Sequence, residues 1–163
     1  MKFDFRKQTV IVTGGTRGIG RGIAEAFLET GAKVVATYQS NEKAAEEFTE
    51  SNRKYAGCLD LRRFDVTQYS EVENFYREIE QTHGEFQVLV HCSGIRVDSI
   101  VGMMPEEDWR KVIDTNLTGT FNMCKLAVQG MMRKRYGRII VITSPIGRFG
   151  FAGQSNYAAS KAG

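Results

Sequence analysis

The chain has 163 residues, 42% of them hydrophobic, which suffices for a single domain with a real core. No stretch approaches the roughly 18 unbroken apolar residues of a membrane span, and the start, MKFDFRKQ, lacks the apolar core of a signal peptide, so a cytoplasmic protein is expected. A net charge of +3 favours anionic ligands slightly but is too weak to argue for nucleic acid. Three cysteines, Cys58, Cys92 and Cys124, are far apart and read as small buried hydrophobes in a reducing compartment.

Val10, Ile11 and Val12 form a β-branched apolar run that reads as a buried strand. The glycines of Thr13-Gly14-Gly15-Thr16-Arg17-Gly18-Ile19-Gly20 follow, and then an apolar stripe of Ile19, Ile23 and Phe27 at helical spacing. Strand, glycine turn and helix make a phosphate-binding shape. Gly14 permits the sharp turn, Gly18 leaves room for a pyrophosphate, and Gly20 lets the helix pack closely. The helix then presents free N–H groups and its positive end to the phosphates. Taken alone, such a loop is either a dinucleotide site or a tight βα turn.

Gly31 closes this helix, and Lys33 to Tyr38 is a second buried strand, completing a βαβ unit. In dinucleotide folds an acid at the end of that strand holds the ribose 2′-hydroxyl, and its absence leaves room for a 2′-phosphate. Thr37, Tyr38, Gln39, Ser40 and Asn41 offer no acid. Arg17 supplies a positive charge there, unless it is simply a solvated loop residue; NADPH is therefore favoured over NADH.

Glu42 to Asn52 reads as a polar helix, and a third strand lies within Tyr55 to Val66, ending in Phe64-Asp65-Val66. Gln68 to Thr82 is the next helix, stopped by Gly84, and Gln87 to His91 is a fourth strand leading into Cys92-Ser93-Gly94. Pro105 is expected at the N1 position of a long helix that runs to about Tyr136, with Trp109, Val112, Ile113, Leu117, Phe121, Cys124, Val128 and Met131 on its buried stripe. Asn116 falls on that stripe, so it is either a satisfied structural amide or a placed functional one. Thr118, Gly119 and Thr120 weaken the helix beside it and predict a bend. Arg138 to Thr143 is a fifth strand, followed by Ser144, Pro145, a glycine-punctuated loop over Ile146 to Gly153, and a new helix from Asn156.

Short apolar strands alternating with helices predict an α/β doubly wound parallel sheet, covered on both faces, with ligands beyond the carboxyl ends of its strands. Ser144 sits at that edge. Tyr157 and Lys161 are four apart and share a helix face, where an ammonium near a phenol favours the phenolate and makes the hydroxyl a proton donor for a forming alkoxide.

The combination resembles the short-chain dehydrogenase/reductase family, and within it is most similar to the β-ketoacyl-acyl carrier protein reductases. The residues that carry the resemblance are the glycine loop from Thr13 to Gly20, Asp65-Val66, Asn116 in DTNLTGTF, Ser144, and Tyr157-x-x-x-Lys161, and it covers the whole chain. It implies a Rossmann fold in which Tyr157 is the general acid, Lys161 holds the nicotinamide ribose, Ser144 hydrogen-bonds the substrate carbonyl and Asn116 positions a water in a proton relay. Gly14, Thr16, Arg17, Gly18, Ile19, Gly20 and Thr37 are the expected cofactor-binding residues of the glycine turn and the second strand, with Tyr157 and Lys161 beside the nicotinamide. Asp65 and Val66 hold the adenine, and Gly94 admits the ribose. No metal is implied. The reaction is reduction of a ketone to a secondary alcohol with NADPH, on a β-ketoacyl thioester of fatty-acid or polyketide type.

Two departures stand out. His91-Cys92-Ser93-Gly94 replaces the usual Asn-Asn-Ala-Gly, with His91 a substitute hydrogen-bonding residue, and Pro145 follows Ser144. Gly163 falls inside the catalytic helix, so residues 1–163 are expected to be one nucleotide-binding domain truncated at its C-terminal end. The alternative is a catalytically inactive nucleotide-binding or interaction domain. The basic run from Arg133 to Arg138, centred on Arg135, is either a docking site for an acidic carrier protein or a solvated helix end. The long helix from Glu106 is expected to pair with a copy of itself in a dimer or tetramer.

Overall fold

A computed structural model describes residues 3–163. Five parallel strands, β1 (Thr9–Thr13), β2 (Lys33–Tyr38), β3 (Leu59–Arg63), β4 (Val88–His91) and β5 (Arg138–Val141), form one sheet in the order β3-β2-β1-β4-β5. The chain runs outward from β1 to β3, then returns to build β4 and β5 on the other side. The order reverses between β1 and β4, and the predicted doubly wound α/β sheet is found.

Alternation within each strand separates two cores. Val10, Val12, Val34, Ala36, Val88 and Val90 face α1 (Gly18–Glu29) and α2 (Glu42–Ser51). Ile11, Val35 and Leu89 face α3 (Tyr69–His83) and α5 (Gly119–Lys134). The central strands β1 and β4 are buried throughout, which explains their unbroken apolar runs.

Several boundaries and faces differ from expectation. The stripe of α1 that meets the sheet is Gly20, Ala24 and Leu28, while Ile19 is exposed and Ile23 and Phe27 are only partly covered. The cause is close approach: a Cβ on Gly20 would fall on the Gly14 carbonyl, so the inward face takes small residues. Gly31 does close the helix: it has φ +85°, its N–H bonds the Leu28 carbonyl, and the Ala32 N–H bonds that of Phe27. β3 stops at Arg63, so Phe64-Asp65-Val66 lie beyond the strand, free to turn across the sheet edge.

Pro105 is the N-cap of α4 (Glu106–Ile113) rather than its first residue. The long helix is interrupted by a π-helical turn at Asp114–Thr118, the bend expected beside Asn116. That turn lets Gly119 close onto Val66, where a Cβ would lie 2.7 Å from the Val66 side chain. Past the bend, the covered residues are Asn122, Met123, Leu126, Ala127 and Met131, whereas Phe121 and Val128 are exposed, as is Trp109 before it. The helix ends at Lys134 with Arg135 in the left-handed region (φ +53°).

β5 is the last strand of the described sheet, and its Ile140 and Val141 are exposed. The segment after Ser144 contains a one-turn helix, α6 (Ile146–Phe149), before α7 (Ser155–Ala162). The three cysteines are only partly buried and unpaired. Among the described residues no helix is long and apolar enough to cross a membrane.

Candidate active site

The carboxyl ends of the strands open into a cleft of about 810 Å³. Its floor is the glycine turn. Gly14 has φ +62° and Gly18 φ +53°, conformations costly for any other residue, and outside Gly18 lies open space. Arg17, extended, is the N-cap of α1, yet no side chain caps this helix and no acid occupies its first turn. Its first N–H groups are left to an anion. By contrast, α2 is capped by Asn41, whose side chain accepts from the Ala44 N–H at 3.0 Å.

Thr16, Arg17, Gly18, Ile19 and Gly20 all line this cleft with Gly14 and Thr37. Ile19 faces the cleft instead of the core, which accounts for its exposure. Thr37 is buried, and its carbonyl accepts the Gly15 N–H at 3.0 Å, tying the turn to the end of β2. At the far end Phe64 and Val66 form the wall. The Asp65 carboxylate accepts from the Thr67 N–H (2.9 Å) and from the Gln39 amide (2.7 Å).

Thr13 organises the junction of β1 and β4. Its hydroxyl oxygen accepts from the N–H groups of both Cys92 and Ser93 at 3.0 Å, which uses its two lone pairs. Its own proton must then go to His91 Nδ1, 2.9 Å away. This assigns His91 the neutral tautomer protonated on Nε2, and that nitrogen is buried with no partner. Burial, with a smaller contribution from the Lys161 charge, lowers the His91 pKa to about 4.

A pH dependence follows. An unfolded His takes up its proton near pH 6.5 and folded His91 near 4, so its neutral burial stabilises fully above about 6.5. The stabilisation is lost as pH falls towards 4 and amounts to about 3 kcal/mol. Denaturant titrations between neutral pH and about pH 4.5 check this, because His91→Gln should remove that part of the slope. Identical slopes in the two proteins would contradict it.

The remaining predicted residues are not among those lining the cleft; Asn116 and Lys161 lie beside its Gly94–Ile95 edge. Asn116 is buried, and its carboxamide is fully bonded: Nδ2 donates to the Ile95 carbonyl and to Ser160 Oγ (both 2.9 Å), and Oδ1 accepts the Ile95 N–H (2.8 Å). The amide thus ties the segment after β4 to α7. Asn156, fully buried, adds a second tie by donating to the Val97 carbonyl at 3.0 Å. Sequence reading missed Asn156 as a positioning residue, although a polar side chain one place before Tyr157 was in view. Gly147 seats α6 against α7, where a Cβ would lie 2.6 Å from the Lys161 carbonyl carbon.

Held in this way, α7 aims Tyr157 and Lys161 to one side, with the Lys161 ammonium 5.8 Å from the Tyr157 ring centre. Lys161 Nζ donates to the Ile142 carbonyl at 2.8 Å, and a Cβ on Gly94 would lie 3.7 Å from it. Burial lowers the Lys161 pKa. Cys92, on the cleft wall, has its thiol pushed up to about 11 by burial, against the opposing effect of Lys161, which disfavours its thiolate. Ser144 lies just past β5, its hydroxyl accepting the Ile146 N–H at 3.3 Å. Among the described residues no cluster of His, Cys, Asp and Glu is suited to a metal.

The basic run at the end of α5 is largely engaged. Arg133 pairs with Glu80 and Lys134 with Glu85 (2.6 Å), while Arg138 stacks over Tyr136.

Residues 8–163 match the family model described as short chain dehydrogenase. The chain is 39% identical over 162 residues to the 3-oxoacyl-[acyl-carrier-protein] reductase FabG of Escherichia coli (strain K12), covering 98% of this chain and 64% of that protein. It is 40% identical over 154 residues to FabG of Chlamydia pneumoniae (94% and 62%) and 40% over 156 residues to the acetoacetyl-CoA reductase of Paracoccus denitrificans (96% and 62%). The chain thus spans just under two thirds of the length of these relatives.

Proposed function

Because the chain belongs to the short chain dehydrogenase family, we propose that its cleft holds NADPH and that the protein reduces the ketone of a β-ketoacyl thioester to a secondary alcohol. The observation that carries this reading is that the uncapped glycine turn follows β1 while Ser144, Tyr157 and Lys161 lie past β5, with Lys161 bonded to the Ile142 carbonyl, at the carboxyl edge of one parallel sheet. The cradle fits a dinucleotide: open space outside Gly18 takes the pyrophosphate, and Gly94, with no side chain, lets the ribose come beside the Lys161 ammonium. Phe64, Asp65 and Val66 take the adenine, and Arg17 takes the 2′-phosphate. When bound, the reduced nicotinamide supplies hydride to the carbonyl carbon.

The chain's own residues do the rest. Ser144 donates a hydrogen bond to the carbonyl oxygen, and the Tyr157 hydroxyl gives its proton to the same oxygen as negative charge develops there. The Lys161 ammonium beside Tyr157 stabilises the phenolate left behind and binds the ribose. Asn116, whose amide is spent on Ile95 and Ser160, acts by positioning α7; with Asn156 it fixes the angle at which Tyr157 meets the substrate. The proposal is tested by following NADPH consumption with an acetoacetyl thioester: turnover of the thioester supports it, and NADPH binding without turnover favours a nucleotide-binding module.

The same reading places a carrier protein at Arg135 and a second copy of the chain on the exposed apolar face of α4 and α5, where Trp109, Phe121, Val128 and Met132 lie. Among the described residues of the basic run, Arg133 and Lys134 are already ion-paired, and Arg135 projects from the end of α5. Arg135→Glu should raise KM for a carrier-bound substrate about fivefold while leaving a small thioester unchanged. Equal effects on the two substrates would remove the docking role.

A further inference from the structure

The adenosine end of the cleft contains an acid that the sequence pattern of β2 does not announce. Glu42, the first residue of α2, is the carboxylate that lines this end of the cleft, with Arg17 and Lys43 as the cations beside it. A free carboxylate at this position would oppose a phosphate and would accept hydrogen bonds from a bare ribose. It is not free. Arg63, the last residue of β3, pairs with Tyr38 in the sheet register, and its guanidinium reaches over the strand end. There Nε donates to the Gln39 carbonyl at 3.0 Å and the terminal nitrogen bonds Glu42 Oε1. The Gln39 side chain in turn holds Asp65 at 2.7 Å. One arginine thus fixes the turn after β2 and neutralises its acid.

We infer that the Arg63–Glu42 ion pair is a specificity-determining element of the cofactor cleft: by masking the Glu42 carboxylate, Arg63 lets the cleft accept a 2′-phosphate and disfavours a bare ribose. The inference rests on the reading of the cleft as an NADPH site and names residues of this chain that set the choice. Arg63 is a positioning residue here, acting through Glu42 and the Gln39 carbonyl. Both side chains are more than half exposed, so the effect is modest and declines with added salt.

Calorimetric titration with 2′,5′-ADP and with 5′-ADP tests it without any turnover. Arg63→Gln should weaken 2′,5′-ADP about fivefold and leave 5′-ADP unchanged or tighter, the latter also reporting an intact fold. Glu42→Gln should leave 2′,5′-ADP as tight as in the parent or tighter, and the double variant Arg63→Gln/Glu42→Gln should recover most of the lost affinity. If the parent protein prefers 2′,5′-ADP and Arg63→Gln retains that preference in full, the ion pair has no part in the choice. A double variant as weak as Arg63→Gln would likewise overturn it, because Arg63 would then be acting independently of Glu42. A parent protein with no preference for 2′,5′-ADP would instead overturn the NADPH reading on which the inference rests.

Discussion

Replacing Tyr157 by Phe is expected to lower turnover of a ketoacyl thioester about a thousandfold while leaving NADPH affinity within about twofold. The ring stays: Phe retains the face over which Lys161 lies at 5.8 Å and the packing of α7, whose position depends on Asn156 and on the Asn116–Ser160 bond. What is lost is one hydroxyl, and with it the proton for the forming alkoxide. Steady-state kinetics and a cofactor titration on the same preparation separate the two effects. Turnover within tenfold of the parent protein would show that another group supplies the proton.

The largest effect on stability is expected at Thr13. Thr13→Val keeps the shape and removes a hydroxyl that serves three partners: the N–H groups of Cys92 and Ser93 and the Nδ1 of His91. Each buried polar group left unpaired costs about 1–3 kcal/mol, so a loss of about 3 kcal/mol or more is expected, a large part of the total for an ordinary domain. Thr13→Ser keeps the hydroxyl and should lose far less. Denaturant midpoints of the two variants decide the point; a Thr13→Val protein within about 1 kcal/mol of the parent would mean that these groups find other partners.

The same junction shows how the protein manages without the asparagines expected after β4. His91 takes the hydrogen-bonding place by accepting from Thr13, and it stays neutral because burial opposes its charging. That pairing joins residues 78 apart, on strands adjacent only through the crossover of the sheet, and no local pattern announces it.

What was legible in the sequence was what depends on local geometry. Gly14 and Gly18 adopt left-handed conformations that single out glycine, and Gly20 sits where a Cβ would strike Gly14, so the glycine turn could be read before the fold. The bend beside Asn116 was visible for the same reason, as Thr118, Gly119 and Thr120 support a regular helix poorly. Helix faces were harder. In α1 and α5 the sheet is met by small or hydrogen-bonded residues such as Ala24, Ala127 and Asn122 together with Leu28, Met123, Leu126 and Met131, whereas the bulky Ile19, Phe121 and Val128 point outward. Large apolar side chains lie on both sides of these helices, so their spacing alone identifies only part of the buried face. The Glu42–Arg63 pair was missed because it depends on the register of β2 with β3, which places Arg63 beside Tyr38.

The most direct measurement of the central claim is a calorimetric titration of the protein with NADPH and, in parallel, NADH. Binding of one NADPH per chain, about tenfold tighter than NADH, is the predicted result. No binding of either dinucleotide, or equal affinity for the two, would contradict the assignment of the cleft between the glycine turn, β2 and Lys161 to that cofactor.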